Sequence, residues 1–102
     1  MAQTVREFFE SVPARIDPER MRGQHAVYRF DVDGAGTWIV AVDDGSIAVR
    51  EGNEDADLVV RATEETFLRL VRGEQNPLTA YMTGKVRVEG DTALALRLRD
   101  LF

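Results

Sequence analysis

The feature that most restricts this chain is a period-2 alternation that recurs in five separate segments. In HAVYRFDVDG, Ala26, Tyr28, Phe30 and Val32 share one side while Arg29, Asp31 and Asp33 share the other, because successive strand side chains point to opposite faces. Trp38, Val40 and Val42 continue the apolar side in TWIVAVD, and Ile47 and Val49 carry it into a third segment. Leu58, Val60 and Ala62 alternate with Val59 and Arg61 in a fourth, and Val86 and Val88 in KVRVE form a fifth. Gly34-Ala35-Gly36 and Asp44-Gly45 supply the first two turns, the second being a strong hairpin signal. Strands with one apolar and one largely polar face predict a sheet covered by helices on one side and open to water on the other.

The intervening segments read as helices. Val5, Phe8, Phe9, Val12 and Ile16 fall on one side of a helix with Arg6, Glu7 and Glu10 opposite. Pro13 is expected to end or kink it, and Asp17-Pro18 to open a short turn. Thr63 reads as an N-cap, followed by Glu64 and Glu65 in the positive first turn and by Gly73 at a left-handed C-cap. Pro77 opens a short helix bearing Leu78, Tyr81 and Met82, and Gly84 closes it. Gly90 turns, Asp91 caps, and a last helix is expected to run to Phe102. These helices carry more than one apolar stripe. Phe67, Leu68, Leu70 and Val71 span an arc of about 160°, and Leu96 lies about 200° from Leu94, at the helical 100° per residue. Either the extra positions are scattered surface leucines, which are common, or the helix layer surrounds something.

Bulk properties narrow the function. At 102 residues the expectation is a single domain over 1–102. The chain has no cysteine and one histidine, His25, so thiolate chemistry and His- or Cys-built metal sites lack their residues. His25 has no acid or hydroxyl partner nearby in sequence and reads as structural or surface. The Asp43-Asp44 pair and the Glu54-Asp55-Ala56-Asp57 run lack calcium-loop spacing, and Gly34-Ala35-Gly36 precedes a strand, not a dinucleotide-binding helix. No enzymatic activity and no cofactor are expected. Net charge is −5, which argues against general nucleic-acid binding. It is unevenly spread: residues 1–57 hold six basic against twelve acidic groups, and residues 58–102 seven against six. The carboxy-terminal half therefore faces an anionic headgroup more readily than the other half. No segment resembles a signal peptide or membrane span, so a cytoplasmic location is expected.

The carboxy-terminal half resembles the sterol carrier protein type-two domain family. The matching residues are Ala56-Asp57-Leu58-Val59-Val60, then Phe67-Leu68 up to Gly73, and the run from Ala80 to Asp91 (AYMTGKVRVEGD) into Ala93-Leu94-Ala95-Leu96, ending at Leu101-Phe102. FFESVPARIDPE and GTWIVAVDDG fit less distinctively. The resemblance implies an α/β fold of α+β type, with a five-stranded sheet, helices packed on one face, and a hydrophobic tunnel between them. It places the lining on Trp38, Val40, Phe67, Leu70, Val71, Tyr81, Met82, Leu94, Leu98, Leu101 and Phe102. A pocket lining is itself mostly apolar and reads like core in sequence. The implied ligand is a fatty acid, acyl-CoA, sterol or related lipid, held by a carrier or transfer protein. The sequence stops at Phe102, short of the further carboxy-terminal segment and targeting tripeptide of peroxisomal members, so a peroxisomal location is not expected. The alternative is an interaction or accessory module whose groove binds a partner segment or presents a lipophilic substrate to a separate enzyme. Expected partners are a lipid or other hydrophobic small molecule, with transient membrane contact, no nucleic acid, and either a monomer or a homodimer.

Overall fold

Alternation, caps and turns assemble here into one mixed sheet with helices against it, in a computed structural model that describes residues 4–91, 93–95 and 97. Among the described residues the strands are β1 (His25–Asp33), β2 (Gly36–Asp43), β3 (Ser46–Glu51), β4 (Leu58–Thr63) and β5 (Val86–Gly90). Their spatial order is β3-β2-β1-β4-β5, with β1 and β4 parallel and the other pairs antiparallel. The helices are α1 (Val5–Arg15), α2 (Glu64–Val71) and α3 (Pro77–Met82), with a 3-10 helix at Pro18–Met21. The fold is α/β, a five-stranded sheet flanked by helices.

Local chemistry accounts for most boundaries. The β2–β3 hairpin turns through Asp44 and Gly45, both at positive φ (45° and 94°), the geometry that matches strand twist in two-residue turns. Thr63 Oγ1 accepts from the Thr66 amide at the start of α2, and Gly73 ends it at φ 76°. The Glu74 amide then donates back to the Arg69 carbonyl, which satisfies an otherwise orphaned acceptor. Pro13 does not end α1: the helix runs two residues further, to Arg15. The proline lies exposed in the last turn, where its missing N–H removes one terminal bond. Upstream, buried Val5, Phe8, Phe9 and Val12 hold the helix to the sheet. The final helix is described only as a 3-10 turn at residues 93–95. Asp91 does cap it, accepting from the Ala93 amide at 3.0 Å; Leu96 and residues 98–102 lie outside the described residues.

The inner face is built around aromatic rings. Phe9 of α1 stacks on Trp38 of β2 at 5.0 Å and on Phe67 of α2 at 5.4 Å. Phe30 of β1 approaches Phe9 at 5.3 Å, and Phe8 meets Phe67 edge-on at 5.5 Å. Tyr28, Val32, Val40, Val42, Leu58 and Val60 extend this core along the inner face.

The outer face is less open than the alternation suggested. Its central row runs Arg50, Ile39, Arg29, Val59, Glu89 across the five strands, and Ile39 is only 1% exposed. The reason is topological. To pass from edge strand β3 to β4, the GNEDAD loop must cross β2 and β1, and it does so over this face. Arg29 Nη1 donates to the Asn53 carbonyl, and Arg50 pairs with Glu54. Asp31 accepts from Arg29 at 2.8 Å and from Arg61 at 3.2 Å, while Arg61 reaches on to Glu89. Asp57 ends the crossing. Its side chain accepts from the Val27 amide at 2.8 Å, its own amide donates to the Val27 carbonyl, and its carbonyl accepts from Asp91.

Gly90, at φ 106°, passes so close to Asp57 that a Cβ there would overlap its carbonyl oxygen. Gly73 is also left-handed, but open space surrounds the place its Cβ would take. Gly73→Ala should therefore cost about 1–2 kcal/mol, and Gly90→Ala about 3 kcal/mol or more from strain and overlap together. Equal costs in urea unfolding would refute the close β4–β5 approach. Asp31 gives a pH test. Partial burial disfavours its charge, but hydrogen bonds from Arg29 and Arg61 outweigh that and hold its carboxyl below the ordinary range. A carboxyl depressed in the folded state stabilises fully above its unfolded value, about 4. That stability is lost as pH falls through the folded value. Unfolding free energy should thus decline below about pH 4, and less steeply in Asp31→Asn; identical acid slopes would mean the Arg29–Asp31–Arg61 network adds nothing.

Candidate functional site

The helical layer covers the sheet unequally. Over β1 and β2 the rings of α1 and α2 fill the space, and Trp38, Val40 and Phe67 lie within that packing at 1–3% exposure. At both edge strands the cover is partial, with Ile47 and Val49 of β3 and Val88 of β5 only partly buried. Leu68, Leu70, Val71, Val88, Leu94 and Ala95 pack against the core while remaining only partly buried. The short helix α3 packs against β5, and its sequence explains its ends. Asn76 Oδ1 accepts from the Leu78 and Thr79 amides at one end. At the other, the Lys85 amide returns to the Ala80 carbonyl at 2.8 Å and Gly84 takes a positive φ. Of the helix only Ala80 is buried, at 0% exposure, whereas Leu78 is 67%, Tyr81 53% and Met82 75% exposed. Positions 78, 81 and 82 have the i, i+3, i+4 spacing of one helix face.

The expected lining thus divides by location. Trp38, Val40 and Phe67 belong to the aromatic core; Leu70, Val71 and Leu94 form a half-buried rim; Tyr81 and Met82 project into solvent. Leu98, Leu101 and Phe102 lie outside the described residues. Leu68, Val88 and Ala95 join the rim without having been singled out. Leu68 carried a signal in the broad apolar arc of α2, and Val88 in the alternation of β5; Ala95 is too small for periodicity to mark.

Polar chemistry lies elsewhere. Among the described residues no polar or charged residue is buried, and no group of three His, Cys, Asp or Glu could hold a metal ion. His25 does acquire an acid partner that proximity in sequence did not indicate. Its Nδ1 lies 2.8 Å from Asp43 Oδ1, because the two residues face each other across β1 and β2. Both side chains are more than half exposed, so this is a surface pair of small energetic weight. A cleft of about 350 Å³ is lined by Asp33, Arg61, Ala62, Thr63, Gly84, Lys85 and Arg87. It is charged and shares no residue with the expected apolar lining. No helix among the described residues is long and apolar enough to cross a membrane.

The model of the SCP-2 sterol transfer family matches residues 6–102. Hydroxysteroid dehydrogenase-like protein 2 of Rattus norvegicus is 33% identical over 95% of this chain, which covers 19% of that protein. The Danio rerio protein of the same name is 33% identical over 98% of the chain and 25% of its own length. The chain thus spans a quarter or less of these curated relatives. Among solved structures, palmitated SCP2L2 from Aedes aegypti superposes with a TM-score of 0.78 at 25% identity, covering 94% of this chain and 91% of its own. The sec-alkylsulfatase Pisa1 from Pseudomonas sp. superposes at 0.84 over 99% of this chain and 16% of its own; at 22% identity it attests the fold alone. The match of the family model to nearly the whole sequence means that the chain belongs to the SCP-2 sterol transfer family.

Proposed function

We propose that this chain is a lipid-binding domain that takes the hydrocarbon part of a fatty acid, acyl-CoA, sterol or related lipid between its helices and sheet. The observation that carries this reading is the half-buried rim of Leu70, Val71 and Leu94 beside a helix anchored at a single alanine. Apolar side chains left half-covered in such a place gain from a ligand that completes their burial. In this reading Trp38, Val40 and Phe67 are the rigid floor, the rim residues contact the chain of the ligand, and Tyr81 and Met82 close over it. Met82 suits that task because an unbranched thioether repacks around different shapes. Each buried methylene contributes about 0.8 kcal/mol, so ten supply about 8 kcal/mol before ordering costs, the scale of micromolar binding. A fatty acid is the first candidate, since a relative 25% identical to this chain is described as palmitated. The domain does no chemistry of its own.

One observation favours a specific use of that binding. The dehydrogenase-like relatives devote only 19–25% of their length to the matched region. A domain of this kind beside catalytic domains serves to hold a lipophilic substrate for a separate enzyme.

Val71 provides the test. In ligand space, Val71→Trp should weaken displacement of a fluorescent fatty acid by about tenfold or more, a loss of about 1.4 kcal/mol, while urea unfolding shifts little. In solid core the same change overpacks and costs about 1–3 kcal/mol of stability. Native mass spectrometry of protein purified without detergent should also find a co-purified lipid. Wild-type protein that binds no fatty acid, acyl-CoA or sterol at micromolar concentration would end the lipid-binding reading.

A further inference from the structure

The charged cleft holds side chains that lipid binding in the interior does not use. β4 and β5 set Arg61 and Arg87 directly opposite each other, a pairing in which like charges repel. The row Phe30–Val60–Val88 faces the core, so the adjacent row Asp31–Arg61–Arg87 lies on the outer face of the sheet. Asp33, two positions beyond Asp31, shares that face. Arg61 is held from one side: its Nε donates to Asp31 and its Nη1 to Glu89, each at 3.2 Å. Its Nη2 makes no hydrogen bond among the described residues. Lys85 and Arg87 are exposed, and among the described residues neither forms an ion pair. Three cations therefore line the cleft against one acid, Asp33. The acids that open α2, Glu64 and Glu65, line no part of it.

We propose that this cleft is a binding site for the diphosphate or phosphate-ester group of a small soluble compound. Guanidinium forks match phosphate oxygens two at a time. Arg61 supplies Nη2, Arg87 its whole fork, and Lys85 a compact charge with three donors. An anion bound by both arginines also replaces their mutual repulsion with two attractions. Size and charge favour a multiply charged group over a single carboxylate. The cleft holds about 350 Å³, within the range of about 300–1,000 Å³ found for small-ligand sites. Its one apolar side chain is that of Ala62, so it gives an acyl chain nothing to bury against, and the ligand is a freely diffusing compound. The arginine pair lies on the sheet face opposite the aromatic core, so this inference does not rest on lipid binding in the interior.

Calorimetric titration with inorganic pyrophosphate, in metal-free buffer of constant ionic strength, tests it. The wild type should bind at millimolar concentration or below, and pyrophosphate should raise its urea midpoint, since a ligand of the folded state stabilises it. Arg87→Ser and Lys85→Ser should each weaken binding about fivefold. Asp33→Asn removes the one acid of the lining and should strengthen binding about two- to fivefold, a change of sign that a general loss of structure cannot produce. Arg20→Ser, an exposed cation on the 3-10 helix, should leave binding unchanged. Without ligand, Arg87→Ser should unfold in urea no earlier than the wild type, because it relieves the pairing with Arg61. Absence of wild-type binding at millimolar pyrophosphate overturns the proposal. So does a loss in Arg20→Ser equal to that in Arg87→Ser, which would mean attraction to surface charge in general, and so does weaker binding in Asp33→Asn. Fatty-acid displacement reports on interior binding separately, so either idea can fail alone.

Discussion

Phe9 lies between Trp38 and Phe67, stacked on both, and this placement decides how the helical layer divides. The contact joins α1, β2 and α2 in one aromatic stack, with Phe30 of β1 against its side. Rings of this size bury large areas and hold fixed relative geometries, so the part of the fold nearest α1 is rigid. That rigidity has a consequence for α2. With Phe67 committed to the stack, Leu70 and Val71, one turn further on, pack against the core without being enclosed by it. They are the positions left half-covered.

Much of this was legible in the sequence, because alternation, capping and turn chemistry act over a few residues. The inner-face assignments from Ala26 to Val88, the Thr63 and Pro77 helix starts, and the Gly73 and Gly84 stops all follow from local rules. What escaped local rules was set by topology. Ile39 occupies a polar-face position in β2, yet the crossing loop buries it; only the strand order β3-β2-β1-β4 reveals that the loop must pass there. His25 and Asp43 are 18 positions apart in the sequence and meet because hairpin register pairs them. Of the two outcomes expected at Pro13, ending the helix did not occur, since a local penalty at an exposed last turn yielded to the tertiary packing of α1.

The site was less legible than the fold, and the cause is physical. A cavity wall and a core wall are both apolar, and periodicity reports only which side of an element is apolar. Trp38 and Tyr81 were assigned to one lining, but one is enclosed by rings at 3% exposure and the other is 53% exposed. What separates them is helix length and anchoring. α1 has eleven residues, four of them buried, whereas α3 has six and only Ala80 buried.

That difference in anchoring connects the interior and the surface of this end of the molecule. A short helix tied by Ala80 and the Lys85 amide has few buried contacts to lose when it shifts, the property expected of elements that move during binding. Its exposed apolar face, Leu78, Tyr81 and Met82, shares one short chain segment with that single anchor. A lipid leaving a bilayer must pass from one apolar environment to another with as little exposure to water as the route allows. The sequence Pro77-Leu78-Thr79-Ala80-Tyr81-Met82-Thr83-Gly84-Lys85 combines, in nine residues, a helix start, an apolar face, a single anchor, a stop and a cation. Each is explained by local chemistry.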